Sequence, residues 1–377
     1  MLDANFIRNK ISDSILMMHL NTEHLTDFGG TANISAIDLG YGYVKYIKDI
    51  INGDIVCDLF PSQAAYSPEE EISGDFFTTR NTKRVSFGGN NWEVGPDVYD
   101  IISKNDVRAM HEDFISTEQW MVLFLGTLAY IDKEVIDVLI LGLPVNNMGK
   151  EEQMKRLVIG DHVVGDKTYK IKDVLVVPQP LGALYNHAVS STESFERFSK
   201  TTTLIVDPGY LTFDFLVSKG FKVISHRSGA RPGGMNAVLC AISKSISEYI
   251  NDTYDDHNEL DMALDLKNYS GVKDTRPIYI YGDEIDLNDH IHSTRPVIDA
   301  SLNFMHSRIG WSKDIAQIIM GGGPSKIFEK SIRTQFSKHE VNTMEDGIFS
   351  NVIGFMYWGM ILYYAMRMKN EKMLANA

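Results

Sequence analysis

Cysteine is nearly absent: a chain of 377 residues carries two, Cys57 and Cys240, far apart and without metal spacing. That excludes a disulfide framework and a clustered thiolate zinc site, and leaves buried reduced thiols as the expectation. Long apolar runs are missing as well. Nothing approaches the ~20 residues that cross a bilayer, and no signal peptide is visible, so the expectation is a cytoplasmic protein without a membrane partner. Excess positive charge is missing too: the formal net charge is −14. Phosphate-backbone binding needs clustered Lys and Arg, so direct nucleic-acid binding is not expected, although a DNA-bound adaptor protein remains open as a partner. Several motifs are lacking. There is no Gly-x-x-x-x-Gly-Lys-[Ser/Thr], which excludes a P-loop NTPase, and no Gly-x-Gly-x-x-Gly behind a strand for a dinucleotide. His-Glu-x-x-His, Cys-x-x-Cys and a serine-nucleophile elbow are absent. What remains is 44% apolar and 23% charged, a globular composition with length for two domains.

One pattern occurs twice. Ile34-Ser-Ala-Ile-Asp38-Leu-Gly40-Tyr41-Gly42-Tyr43-Val-Lys45 is an apolar strand ending in Asp-x-Gly, a tight turn and a second strand. Leu204-Ile-Val-Asp207-Pro-Gly209-Tyr210-Leu-Thr212-Phe-Asp214 repeats the plan 169 residues later. An aspartate at a strand end beside outward-pointing glycine amides suits hydrated Mg²⁺ and phosphate. One such turn is an ordinary hairpin as often as a site; two could clamp one polyphosphate. In the first, Gly40 and Gly42 permit close backbone approach, and Lys45 reaches back to the phosphates as a point charge. In the second, Gly209 and Thr212 shape the turn, while Pro208 removes a donor and Tyr210 and Leu211 are bulky for a phosphate loop.

Further candidates sit at strand ends. Gln179 follows a buried strand and precedes a helix, where an amide can orient water; its bland alternative is a helix-entry residue bonded to its own backbone. Gly321-Gly322-Gly323-Pro324, between a strand and a helix, suits backbone approach to a nucleotide, or is a plain tight turn. Gly233-Gly234 opens a helix and could border base or ribose.

Around these motifs the pattern predicts a short amphipathic helix before Gly29-Gly30, a hairpin across Gly88-Gly89, and a helix over 117–130. A buried strand follows over 135–141, then a hairpin over 162–171, a separate strand over 174–177 and a helix from Pro178 through His187. In the second half, strands over 202–206, 213–217 and 315–320 alternate with helices over 234–250 and 297–309, with short helices and loops over 251–294. A Met- and aromatic-rich helix runs from Asn351 to about Met368. Strands alternating with helices imply an α/β protein of two similar halves.

Asp38-Leu-Gly-x-Gly-x-x-Lys45, Val176-Val-Pro-Gln179-Pro, Asp207-x-Gly-x-x-Thr-x-Asp214 and Met320-Gly-Gly-Gly-Pro324 stand in the order used by the actin-like ATPase superfamily. From about residue 33 onward the chain resembles it, and within it most resembles the ParM/StbA plasmid-segregation actins. Leu141-Gly-Leu-Pro144 and Phe349-Ser-Asn351-Val-Ile-Gly354-Phe-Met-Tyr357-Trp-Gly359 carry that narrower likeness. The resemblance implies an actin-like fold, two RNase-H-like domains around a nucleotide cleft: an extension over 1–32, domain I over 33–185 plus 346–377, and domain II over 186–345. It implies Asp38 and Asp207 on Mg²⁺, with Gln179 and Asp207 catalytic. The loops with Gly40, Tyr41, Gly42, Tyr43, Lys45, Gly209, Tyr210, Thr212, Gly233, Gly234, Gly321, Gly322 and Gly323 would hold ATP or ADP. The implied activity is ATP hydrolysis coupled to self-assembly into filaments, with DNA segregation through an adaptor. A sugar-type kinase on the same fold is the alternative; a nucleotide-binding scaffold without turnover is a third.

Overall fold

The computed structural model describes residues 32–52, 54–67, 80–102, 108, 110–111, 113–264 and 276–361. The helix expected before Gly29 and the end of the C-terminal helix lie outside them. The chain forms two compact units. Unit 1 is Met1–Leu143, Met148–Val177 and Phe355–Ala377; unit 2 is Pro144–Asn147 and Pro178–Gly354.

Unit 1 begins with β1 (Ile34–Leu39), every residue of which is buried, and turns through Gly40–Gly42 into β2 (Tyr43–Ile51) and then β3 (Asp54–Pro61). A small three-stranded sheet follows: β4 (Ala65–Tyr66), β5 (Lys83–Phe87) and β6 (Asn90–Val94) in order β4-β6-β5. The β5–β6 turn is Gly88-Gly89, at φ of 64° and 80°. That left-handed pair is a conformation glycine adopts without strain.

Helix α1 (Glu118–Ile131) starts where the Thr117 hydroxyl accepts the Trp120 N–H at 3.2 Å, and it ends at a left-handed Asp132. It buries Trp120, Leu123, Phe124 and Leu128 in the core that lies on the large sheet. That sheet continues through β7 (Val135–Leu143), then, after α2 (Glu151–Val158), β8 (Gly160–Val164) and β9 (Lys167–Pro178), giving the order β3-β2-β1-β7-β9-β8. The strand expected over 174–177 is not separate. Lys167 to Pro178 is one strand, because Ile171 and Val174 are both buried and nothing between them breaks the extended backbone.

Unit 2 has helices α3 (Gln179–Ala188) and α4 (Thr192–Lys200) ahead of β10 (Thr202–Pro208). Its sheet adds β11 (Thr212–Lys219), β12 (Lys222–Val223) and β13 (Gly229–Pro232). Next come α5 (Met235–Ile250), α6 (His257–Ala263) and an isolated hairpin of β14 (Ile278–Ile280) and β15 (Asp283–Ile285), where helices and loops alone were expected. Helix α7 (Arg295–Ile309) leads to β16 (Ile315–Met320), α8 (Ser325–Gln335) and β17 (Glu340–Thr343), and the order is β12-β11-β10-β16-β17. Residues 350–361 form a last helix, α9, within which the chain returns to unit 1.

The two sheets share a plan. In each, a buried first strand pairs antiparallel with the next strand of its hairpin and parallel with a strand reached through helices: β1 with β2 and β7, β10 with β11 and β16. The cysteines depart from expectation: Cys57 is half-buried and Cys240 exposed.

Candidate functional site

The first hairpin puts Asp38 directly opposite Lys45 in the β1–β2 register. Cross-strand partners share a face, so the Lys45 ammonium meets the Asp38 carboxylate at 2.8 Å, with Asp38 only 2% exposed. Lys45 lies over the glycine turn, where a Cβ on Gly40 would sit 2.9 Å from its Nζ. The Gly40 N–H closes the turn on the Tyr43 carbonyl at 3.2 Å. Two residues remote in sequence hold the loop carbonyls. The Ser62 hydroxyl donates to Gly40 O at 2.5 Å, and the Ser62 N–H and Arg108 Nη1 donate to Gly42 O at 2.9 and 2.8 Å. The buried Arg108 guanidinium also bonds the Tyr99 hydroxyl and lies 5.6 Å from the Tyr43 ring centre. Tyr41 stacks on Phe114, ring centres 4.9 Å apart. Gly40 O and Gly42 O are thus both held from within the chain.

In the second hairpin Asp207 stands opposite Asp214, and the turn closes through the Gly209 N–H on Thr212 O at 2.8 Å. Here the loop carbonyls are held by the start of α5. The Met235 and Asn236 amides donate to Gly209 O and Tyr210 O at 3.0 and 2.8 Å, and those of Gly233 and Gly234 donate to Leu211 O at 3.2 and 3.3 Å. The N–H groups of Gly234, Met235 and Asn236 at the helix start are thus spent on the loop itself. Gly234 has to be small: a Cβ there would lie 2.8 Å from Thr212 O and 2.9 Å from Tyr210 O. The Ser301 hydroxyl donates to Gly233 O at 3.3 Å.

Asp207 and Asp214 are both buried. Burial pushes the Asp214 carboxyl up to about 7; the Asp207 charge adds to this, while bonds from the Thr212 side chain and the Val145 N–H (3.2 Å) oppose it. The Asn351 carboxamide donates to Asp207 Oδ2 at 2.8 Å and accepts the Ala183 N–H at 3.1 Å. Gly322, at φ of 77°, faces the other oxygen: a Cβ on it would fall 2.5 Å from Asp207 Oδ1. Its N–H donates to the Ser350 hydroxyl at 3.2 Å, and a Cβ on Gly321 would meet Ala183 Cβ and Ser350 Oγ, each at 2.7 Å. Gly323 is the half-buried residue between this cluster and α8. Gln179 is the half-buried first residue of α3, behind Pro178.

Unit 1 therefore gathers Asp38, Gly40, Tyr41, Gly42, Tyr43 and Lys45. Unit 2 gathers Asp207, Gly209, Tyr210, Thr212, Gly233, Gly234, Gly321 and Gly322, with Gln179 at the head of the helix that Asn351 ties to Asp207. Ser62, Arg108, Ser350 and Asn351 were not found from sequence. A Ser-Asn pair at a helix start was the only local signal, and Arg108 had none.

Residues 36–182 match the family described as actin-like proteins, N-terminal domain. An archaeal actin homolog, Ta0583, solved in complex with ADP, is similar at a TM-score of 0.66 and 15% identity, over 86% of this chain and 98% of that one. A 15-stranded ParM filament from Clostridium botulinum is similar at 0.66 and 20% identity, over 88% and 99%. Actin-like protein Alp7A is similar at 0.66 and 16% identity, over 91% and 98%. No curated protein matches the chain. The fold is α/β and actin-like, as the ordered motifs implied, and ParM is among the similar structures.

Proposed function

We propose that this protein is an actin-like ATPase that binds Mg-ATP with one hairpin from each unit and assembles into dynamic filaments, serving plasmid or other DNA segregation in the cytoplasm through a DNA-bound adaptor. The observation that carries the reading is the repeated hairpin: a buried strand ending in aspartate, with the carbonyls of the following loop bound from behind in both units. An ADP complex of one similar structure and a filament of another support it.

The residues suit the ligand. Asp38 and Asp207 would hold hydrated Mg²⁺ and Lys45 the phosphates. Among the described residues no group of three or more His, Cys, Asp or Glu could cage a metal, which fits an ion carried mainly by water and phosphate. Bound Mg²⁺ would offset phosphate charge. Gln179 would orient the attacking water, and Asp207 would fix its approach. No helix among the described residues is long and apolar enough to cross a membrane.

The test is sedimentation and electron microscopy of micromolar protein with and without Mg-ATP. Filaments that need nucleotide are expected. A discrete oligomer under all conditions, with phosphate transfer to a sugar, would replace this reading with the kinase.

A further inference from the structure

Asn351 is 6% exposed, and both ends of its carboxamide are engaged across long sequence intervals. Its Nδ2 donates to Asp207 Oδ2 at 2.8 Å, 144 residues away, and its Oδ1 accepts the Ala183 N–H at 3.1 Å, 168 residues away. The orientation of the amide follows from its partners. Turned over, its oxygen would face a carboxylate and its NH₂ a backbone N–H, and both contacts would repel. The backbone beneath has no slack either, because a Cβ on Gly182 would lie 2.5 Å from Asn351 Cα. Ser350, next in the chain, accepts the Gly322 N–H at 3.2 Å and donates to Gly347 O at 2.7 Å. Asp207 is thus bracketed, with Asn351 on one oxygen and Gly322 beside the other.

Ala183 lies one helical turn beyond Gln179 in α3. A single planar group therefore joins the end of β10, which carries Asp207, to the start of the second turn of the helix headed by Gln179. We propose that Asn351 is a positioning residue: it fixes which oxygen of Asp207 is turned toward the metal and water, and holds that carboxylate in register with Gln179. This rests on the ATPase reading of Asp207 and Gln179. The bland alternative is that Asn351 only pins α9 to α3 through the Ala183 bond.

Two substitutions of similar size separate these roles. Asn351→Leu removes both bonds. Asn351→Asp keeps the acceptor for Ala183 but sets a second carboxylate against Asp207. If Asn351 positions Asp207, phosphate release in Mg-ATP should fall about 10-fold or more in Asn351→Leu and further in Asn351→Asp, with ATP affinity changed less than about 3-fold. If it only pins helices, Asn351→Asp should stay near wild type and Asn351→Leu should be the worse of the two. That order overturns the proposal.

A second measurement needs no turnover. Combining Asn351→Asp with Asp207→Asn exchanges donor and acceptor, so in nucleotide-free protein the double variant should unfold a few degrees above Asn351→Asp alone. Additive losses in this cycle overturn the pairing. Wild-type protein that releases no phosphate overturns the ATPase reading instead, and the exchange then decides alone whether Asn351 sets the Asp207 carboxylate.

Discussion

The two Asp-x-Gly hairpins reach the same local geometry by different means. In unit 1 the loop carbonyls are held by residues recruited from elsewhere, Ser62 and Arg108. In unit 2 they are held by backbone alone, the opening amides of α5, with Gly234 as the opening through which the helix comes close. Lys45 sits over the first turn, whereas Asp207 in the second is paired with a neutral amide and stands opposite another acid. Under the proposed function the difference is a division of labour. A cation beside a glycine loop favours grip on phosphate; an amide-braced carboxylate in a dry setting favours the aiming of water. It also divides vulnerability, because side-chain bracing is lost by truncation and backbone bracing by added bulk.

Turnover gives the largest test of that division. Gln179→Ala or Asp207→Ala should remove roughly 2–4 kcal/mol of barrier lowering. Under the proposed function, in which assembly needs bound ATP and not its cleavage, Gln179→Ala filaments should then form and persist. Phosphate release recorded beside filament lifetime checks this; unchanged hydrolysis in Gln179→Ala returns that residue to a helix-entry role. Next in size is Gly234→Ala. Its new methyl group would meet backbone oxygens that cannot swing away, so a loss of ~1–3 kcal/mol is expected in denaturant unfolding. An unaffected midpoint would mean that the α5 start can withdraw from the loop.

Arg108→Met tests the other bracing. The Gly42 carbonyl keeps the Ser62 N–H but loses the guanidinium, so stability should drop by about 1–2 kcal/mol, with weaker ATP binding and little change in kcat. Equal losses in binding and kcat would erase the contrast between the units.

The smallest effect is a pH slope from Asp214. The unfolded chain releases this proton near the ordinary value of 3.8, whereas the folded chain keeps it to about 7. The group therefore favours the fold fully below about 4, and its contribution fades as pH rises to about 7, at up to ~1.4 kcal/mol per pH unit. Asp214→Asn should flatten the unfolding midpoint across that range in nucleotide-free protein. A slope that survives the substitution assigns it to other groups.

Much of this was legible in the sequence, and the limit was distance along the chain. An apolar run ending in Asp-x-Gly announces its own strand and turn, so both hairpins, the Gly88-Gly89 turn and the α1 boundaries came from neighbouring residues. The bracing did not, because Ser62 reaches Gly40 over 22 residues, Arg108 reaches Gly42 over 66 and Asn351 reaches Asp207 over 144. The glycines at 234, 321 and 322 read as room for a ligand; the structure gives each a neighbour within the chain that already needs that room. Only position 322 stands directly against Asp207.

The meeting of Gly182 with Gly354, where a Cβ on the latter would fall on the former's carbonyl oxygen, bears on how the protein is born. The long segment of unit 2 starts with α3 and is sealed by the first turns of α9, so its first helix waits for nearly its last residues. A chain cut after residue 345 holds both β10 and β16, yet its Asp207 has no amide beside it and α3 has one side uncovered. Vectorial synthesis would then keep the acidic site unfinished until the closing helix leaves the ribosome, and a chain cut short before Asn351 should be far more open to protease in unit 2 than one that carries α9.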